Sequence, residues 1–181
     1  SKKVVTVEKC IGQISSRIPL LLFSMLGGIG NSMILGNFDT TFAAHPEMAL
    51  YIPLIGGTGG NVGTQSSAII VQGLANSSLD AKDTFKQVAK EAVVAVINAT
   101  IISLLVYIYN FIRFGATATV TYSVSISLFA VVMFASIFGT LVPMTLEKLK
   151  VDPAIATGPF ISITNDIIGM MLYMGITVLL S

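Results

Sequence analysis

Long segments without a charged side chain are the feature of this sequence that most limits its fold. No Asp, Glu, Lys or Arg occurs between Arg113 and Glu147, and only 10% of the 181 residues are charged. A soluble domain usually carries about 25% charged residues, because its surface must stay hydrated. About 20 apolar residues cross the hydrocarbon core as a helix. We therefore expect an all-α, polytopic membrane protein.

Five segments are predicted to span the membrane. They cover residues 19–38, 48–74, 91–112, 122–146 and 153–181, with short polar connectors between them. Residues 1–16 are mixed polar and apolar and are predicted to form a cytoplasmic connecting segment, with residues 17–181 as the five-helix transmembrane domain. The sequence begins at Ser1 and not at Met, and we expect it to be a fragment of a longer protein.

The basic residues lie almost entirely on one side of these spans. Four precede the first span, three lie between spans two and three, and two lie between spans four and five. Only Arg113 falls on the other side. Because cytoplasmic loops are enriched in Lys and Arg, we expect a cytoplasmic N-terminus and an outside C-terminus in a plasma or inner membrane. The expected surroundings are membrane lipid, and no nucleic-acid partner is expected.

Asp166 is a lone acid inside the last predicted span. It lies 13 residues after Pro153 and 15 before the C-terminus, which is about 20 Å along a helix and near the bilayer midplane. An acid at this depth usually faces a polar interior and marks an ion path. The alternatives are a carboxylate paired with a basic residue, although every Lys and Arg lies at a predicted span end, and a protonated, hydrogen-bonded acid.

Polar neighbours of Asp166 add oxygen atoms to this part of the span. Ser162 lies one helical turn earlier on the same face, and Asn165 directly precedes the acid. We predict that Asp166, Ser162 and Asn165 contribute to a metal site. For Ser162, the alternative is a hydrogen bond back to its own helix, which is common for hydroxyls in membrane spans.

A glycine-rich stretch in the second span is the other candidate for polar chemistry. Residues 56–67 contain five glycines together with Asn61, Thr64, Gln65 and Ser66. Irregular backbone survives in a membrane only inside protein or beside a water-filled cavity. We therefore predict a broken or loosely wound helix that lines a polar space and offers neutral oxygens to a hard cation such as Mg²⁺ or Ca²⁺. The alternative is that the glycines allow close helix packing.

Several other chemistries are excluded by the residues present. His45 stands alone in a connector, Cys10 has no partner, and the eight methionines are scattered, which disfavours Cu(I) and Zn²⁺ as cargo. The sequence contains no phosphate-binding glycine motif of the Walker type, and no serine nucleophile has a histidine to activate it. An enzyme is therefore not expected.

Two motifs together resemble the membrane domain of the MgtE family of magnesium channels and transporters. The first is Gly57-Thr58-Gly59-Gly60-Asn61-Val62-Gly63-Thr64-Gln65-Ser66. The second consists of Val151-Asp152-Pro153-Ala154, Gly158-Pro159 and Asn165-Asp166-Ile167-Ile168-Gly169. The resemblance covers essentially the whole chain, with five spans in the same order.

This resemblance implies a homodimer with a pore on its two-fold axis, lined mainly by spans two and five. Asp166 would hold hydrated Mg²⁺, the transported ion. The pore lining would include Gly57, Gly60, Asn61 and Thr64, although many relatives place asparagine at the position of Thr64. The family also implies a cytosolic N-terminal domain and paired regulatory domains of the cystathionine-synthase type, which we expect to be missing from this sequence.

The expected function is a Mg²⁺-selective channel for hydrated divalent cations, with Co²⁺, Mn²⁺ and Ca²⁺ open as further cargo. One alternative is a secondary transporter that exchanges a divalent cation for Na⁺ or H⁺, because broken helices at the midplane are also typical of transporters. A third hypothesis is a membrane anchor or assembly module that transports nothing and tolerates Asp166→Leu.

Overall fold

The computed structural model describes residues 2–181, and the side chains of all of these except residues 2–5 and 156. The described chain is all-helical and contains no strand. Six α-helices follow in the order α1 Lys2–Gly36, α2 Asp39–Ala44, α3 Ile52–Ala75, α4 Thr84–Phe114, α5 Thr119–Lys148 and α6 Pro159–Leu180. Short 3₁₀ segments at Pro46–Tyr51, Ala81–Asp83 and Pro153–Ala156 precede α3, α4 and α6. The predicted all-α class is confirmed.

Four helical segments within residues 2–181 are long and apolar enough to cross a membrane. They are Thr6–Gly36, Ala81–Phe114, Thr119–Lys148 and Pro159–Leu180. The remaining long helix, α3, has 24 residues and is therefore about 36 Å long. Its glycine and polar content makes it less apolar than the other four. Four of the five predicted spans thus have the expected composition. The second predicted span, which corresponds to α3, stays a prediction.

Helix α5 lies at the centre of the fold. It packs against α3, α4 and α6, and most residues of its apolar segment are buried inside the fold. By contrast, α1 packs mainly on α6, where Gly27 lies against the side chain of Ile163. Helix α1 runs without a break through residue 16 into the first predicted span. The division into a connecting segment (1–16) and a membrane domain (17–181) stays a prediction.

The glycine-rich stretch forms a regular helix, so the predicted break in the second span is wrong. Residues 52–75 are continuously α-helical. The glycines lie where neighbouring helices approach closely: a Cβ at Gly59 would lie 2.8 Å from Val131, and one at Gly139 would lie 2.7 Å from the carbonyl oxygen of Gly63. Small residues allow such approaches in membrane helices. The close-packing alternative therefore describes α3.

The last span begins later than predicted. Asp152 caps the 3₁₀ turn as expected, and its Oδ1 accepts a hydrogen bond from the Ala154 N–H at 3.0 Å. Gly158 then adopts a φ of 73°, which glycine tolerates without strain, and α6 starts at Pro159. Asp166 is therefore about 10 Å from the start of α6 and about 21 Å from Leu180. The helix count from Pro153 is therefore wrong, and the depth of Asp166 in the bilayer stays a prediction.

A buried hydrogen bond joins α6 to the segment before α3. The Tyr173 hydroxyl donates to the Met48 carbonyl oxygen at 2.7 Å, and both residues are fully buried. Tyr173→Phe removes this buried hydrogen bond. We expect the free energy of unfolding to fall by about 0.5–1.5 kcal/mol, measured by reversible denaturation in detergent. The control is Tyr122→Phe, since the Tyr122 hydroxyl bonds at an exposed position, and an equal loss in both variants would contradict the prediction.

Candidate cation site between α3 and α6

Helices α3 and α6 pack antiparallel with a regular register. A Cβ at Gly56 would overlap the Asp166 carboxylate, and a Cβ at Gly60, one turn later, would lie 3.2 Å from the Ser162 hydroxyl oxygen. One turn of α3 thus corresponds to one turn of α6 in the opposite direction. Asp166 and Ser162 consequently face a strip of α3 that has no side chains, so the backbone of α3 lies close to both polar groups.

An open groove of about 370 Å³ lies along this contact. Five of the seven predicted site residues line it, namely Asp166, Ser162, Gly57, Gly60 and Asn61. The other lining residues are Asn31, Ile52, Pro53 and Gly56. The structure therefore brings the acid of the second motif together with the glycines and the amide of the first, although the motifs are about a hundred residues apart in the sequence.

The Asp166 carboxylate is half-buried in this groove. Among the described residues, no basic side chain acts on it electrostatically, which removes the paired carboxylate as an explanation. Its neighbours are the backbone of Gly56 and the Met170 side chain, which would lie 3.7 Å from a Cβ at Gly56. An acid without a cationic partner beside a polar groove has the electrostatic character that attracts a metal cation.

The groove offers oxygen donors in addition to the carboxylate. The Ser162 side chain is exposed, one turn before Asp166, and the Asn61 side chain is exposed on the opposite wall. Hydroxyl, amide and carboxylate oxygens are the donors that hard cations such as Mg²⁺ and Ca²⁺ prefer. Within residues 2–181 there is no cluster of three His, Cys, Asp or Glu side chains. The chemistry therefore suits a hard ion that keeps much of its water.

Two predicted site residues do not line the groove. Asn165 is only 1% exposed, and its Nδ2 donates to the Ile161 carbonyl oxygen at 2.9 Å. Thr64 donates its hydroxyl to the Gly60 carbonyl oxygen at 2.7 Å. Successive residues on a helix point about 100° apart, so Asn165 turns away from the groove that Asp166 faces.

Two of the four lining residues outside the predicted set bear directly on the polar groups of the groove. Gly56 admits the Asp166 carboxylate, and Asn31 contributes an amide from α1. Asn31 follows one turn after Gly27, where α1 contacts α6. The amide of Asn31 inside an apolar span indicates a residue that faces a polar space. The spacing of the sequence does not predict which helices line that space with it.

A further polar contact joins α3 to α4 away from the groove. The Ser66 hydroxyl donates to the Glu91 carboxylate at 2.7 Å, and Ser66 is 5% exposed. Glu91 marks the start of the third predicted span, and sequence analysis assigned it no contact. This bond satisfies an acid that would otherwise lie unpaired beside α3.

Comparison with known proteins identifies the family. A family model described as MgtE, divalent cation transporter, matches residues 52–176. The chain belongs to the MgtE family. The match begins at the first residue of α3 and extends into α6, so the MgtE region contains every groove residue except Asn31. The predicted family resemblance is confirmed, and the family description is that of a transporter rather than an enzyme.

Three relatives share the name Magnesium transporter MgtE. The protein from Bacillus subtilis is 32% identical over 160 residues, which is 88% of this chain. The proteins from Thermus thermophilus and Enterococcus faecalis are 31% and 26% identical over 91% and 93% of this chain. The aligned part is 35%, 36% and 37% of these relatives, so the chain spans about a third of the length of the MgtE proteins it matches.

Proposed function

We propose that this chain is the membrane domain of a Mg²⁺ channel and that Asp166 holds the hydrated ion during passage. The observation that carries the proposal is the half-buried Asp166 carboxylate, which has no basic partner among the described side chains and opens into a groove lined by Ser162, Asn61 and glycine backbone. The names of the relatives support Mg²⁺ as the cargo. Co²⁺, Mn²⁺ and Ca²⁺ share the preference for oxygen ligands and are candidate competitors.

The small number of charged ligands favours a hydrated ion over a bare one. Mg²⁺ sheds its waters reluctantly and usually keeps several of them when one or two carboxylates bind it. One Asp166 supplies a single negative charge, with neutral oxygens around it. A cation with its water shell fits an open groove of about 370 Å³, because outer-shell binding requires room for water between the ion and the carboxylate.

A homodimer would complete this arrangement. The groove is lined by residues of α1, α3 and α6 and is open, and a second chain could bring a second Asp166 to the same axis. Two carboxylates would balance the charge of one divalent ion. The pore would then be lined by α3 and α6 of both chains, with Gly57, Gly60 and Asn61 in the α3 wall.

The proposed domain spans the membrane five times, with α3 as its second span in addition to the four apolar helical segments. The α3 length of 24 residues is sufficient, and most of its glycines lie against α5, against α6 or in the groove. Five spans put nine basic residues on the cytoplasmic side, with the N-terminus inside and the C-terminus outside. The greater length of the relatives supports the predicted cytosolic regulatory domains, which lie outside this sequence.

A channel is favoured over coupled exchange because α3 is unbroken. The exchanger hypothesis drew on a broken midplane helix, and α3 is continuous from Ile52 to Ala75. Currents through the chain in planar bilayers are expected to reverse at the Mg²⁺ equilibrium potential. A reversal potential that shifts with an imposed Na⁺ or H⁺ gradient would contradict the channel and support exchange. The membrane-anchor hypothesis would be supported if the chain carried no Mg²⁺ flux and if Asp166→Leu folded as well as the parent chain.

A further inference from the structure

The side chain of Asn165 fills a gap between two glycines of α3. A Cβ at Gly63 would overlap the Asn165 amide nitrogen and lie 3.0 Å from its Cγ, and a Cβ at Gly59 would lie 4.0 Å from the Asn165 Cβ. The Asn165 side chain therefore occupies the space that a side chain at Gly63 would otherwise take, whereas Val131 of α5 occupies the space beside Gly59. This contact lies on the buried side of the helix pair, next to Val131 of α5.

The amide of Asn165 is held in one orientation. Its Nδ2 donates to the Ile161 carbonyl oxygen at 2.9 Å, while its Oδ1 is buried without a hydrogen-bond partner. A buried, unpaired amide oxygen is unfavourable, and an apolar side chain of similar size would avoid that cost. Buried polar residues in helix packing are known to fix register at the expense of stability.

The contacts of α3 with α6 form two parallel rows. In the groove row, Gly56 lies against Asp166 and Gly60 lies near Ser162. In the buried row, Gly63 lies against Asn165. Because the two helices are rigid, sliding α6 along α3 would move both rows together. A side chain that fixes the buried row therefore also fixes where the Asp166 carboxylate stands relative to the groove.

We propose that Asn165 is a positioning residue that sets the register of α6 on α3 and thereby places the Asp166 carboxylate opposite Gly56. It does not contact the ion. This inference rests on the proposed function, because positioning Asp166 matters for transport only if Asp166 holds the cation. It also assigns Asn165 a role different from the metal ligand that the sequence suggested.

The first test measures Mg²⁺ uptake into liposomes over a range of Mg²⁺ concentrations. Asn165→Ala is expected to raise the half-saturating Mg²⁺ concentration by about 10-fold, the typical effect of losing a residue that orients a metal ligand. Asn165→Asp should be similarly impaired, because it loses the donor to Ile161 and places a charge in a buried site. A lower half-saturating Mg²⁺ concentration in Asn165→Asp than in the parent chain would indicate that this residue is a direct ligand and would overturn the proposal. Asn98→Ala, at an exposed position on α4, is the matched control.

The second test uses the complementarity of Gly63 and Asn165. Gly63→Ala should impair uptake, because its Cβ collides with the amide. In Gly63→Ala combined with Asn165→Ala, the new methyl group occupies the space that the amide vacates, and uptake should recover most of the loss. The Ile161 side chain, 3.0 Å from the new Cβ, has to shift by a few tenths of an ångström. Additive losses of uptake in the double variant would overturn the proposal. So would a failure of both Asn165→Ala and the double variant to give folded protein in the membrane.

A third measurement reads the helix register without any cation. Cysteines at positions 55 and 169 are suitable, since a Cβ at Gly169 would lie 3.8 Å from Ile55, and Cys10→Ser removes the native thiol. Disulfide formation in Mg²⁺-free buffer should fall several-fold with Asn165→Ala and recover with Gly63→Ala added. Unchanged crosslinking would overturn the register role. If crosslinking behaves as expected while the parent chain carries no Mg²⁺, the register stands and only the proposed function fails.

Discussion

Asp166→Asn is expected to reduce Mg²⁺ uptake into liposomes roughly 100-fold, since a hydrogen bond to a charged group contributes about 1.5–3 kcal/mol. The amide keeps the size of the carboxylate, so packing against Gly56 should be preserved. What is lost is the negative charge that holds the water shell of the cation. In a dimer the change removes both charges at once, which places the expected loss at the upper end of this range.

The control for this variant is Asp39→Asn. Asp39 is an exposed acid at the start of α2 and is not part of the groove. It should transport at the rate of the parent chain. Near-normal Mg²⁺ uptake by Asp166→Asn would remove Asp166 from its proposed role. A loss of uptake accompanied by loss of folded protein would be checked with circular dichroism and gel filtration in detergent.

Gly56→Ala is expected to raise the half-saturating Mg²⁺ concentration for uptake by about 10-fold while leaving the fold intact. The new methyl group overlaps the position of the Asp166 carboxylate. Because the carboxylate is the end of a flexible side chain, it can rotate away without moving α6. Alanine also stabilises a helix by about 0.5–1 kcal/mol relative to glycine. The variant should therefore be at least as stable as the parent and still bind Mg²⁺ less well.

Gly28→Ala is the matched control, because a Cβ at Gly28 of α1 meets no atom within 4 Å. It should change neither the half-saturating Mg²⁺ concentration nor the maximal uptake. Combining Gly56→Ala with Asp166→Asn should give no greater loss than Asp166→Asn alone, because both changes act on the same carboxylate. Unaltered Mg²⁺ dependence in Gly56→Ala would show that the carboxylate does not need its place against Gly56.

The helices themselves were largely predictable from sequence. Apolar segments bounded by charged residues located both ends of α5 and the end of α4 to within three residues, because hydrocarbon tolerates few charges, whereas α4 begins seven residues before the predicted span. The start of α6 was misplaced, since Asp152-Pro153 is a valid helix start on its own. The local pattern did not reveal that the turn at Gly158 separates a short 3₁₀ segment from the span.

The conformation of α3 was not predictable from its composition. Glycines beside polar residues are equally compatible with an unwound cavity lining and with a helix packed closely on its neighbours. The difference depends on what faces each glycine, and Val131 and Asn165 come from helices distant in sequence. A single sequence does not contain this information.

Five of the seven predicted site residues line one groove, and their role in binding a cation stays a prediction. The two motifs indicated that Asp166 and the Gly57–Asn61 strip belong together, and the groove contains both. Asn165 was predicted as the sequence neighbour of Asp166, and Thr64 followed from the family resemblance. A helix turns about 100° per residue, so neighbours in sequence face different directions, and Asn165 instead packs against Gly63 of α3.

The central claim is that a divalent cation is held beside Asp166 in the groove between α3 and α6. The most direct measurement is an anomalous difference map from crystals of the chain grown with Mn²⁺, which scatters anomalously and shares the oxygen preference of Mg²⁺. The account predicts a peak facing the Asp166 carboxylate, farther from its oxygens than the roughly 2.1 Å of direct coordination, and no such peak in Asp166→Asn. Mn²⁺ peaks only elsewhere in the molecule, with the groove empty, would contradict the account.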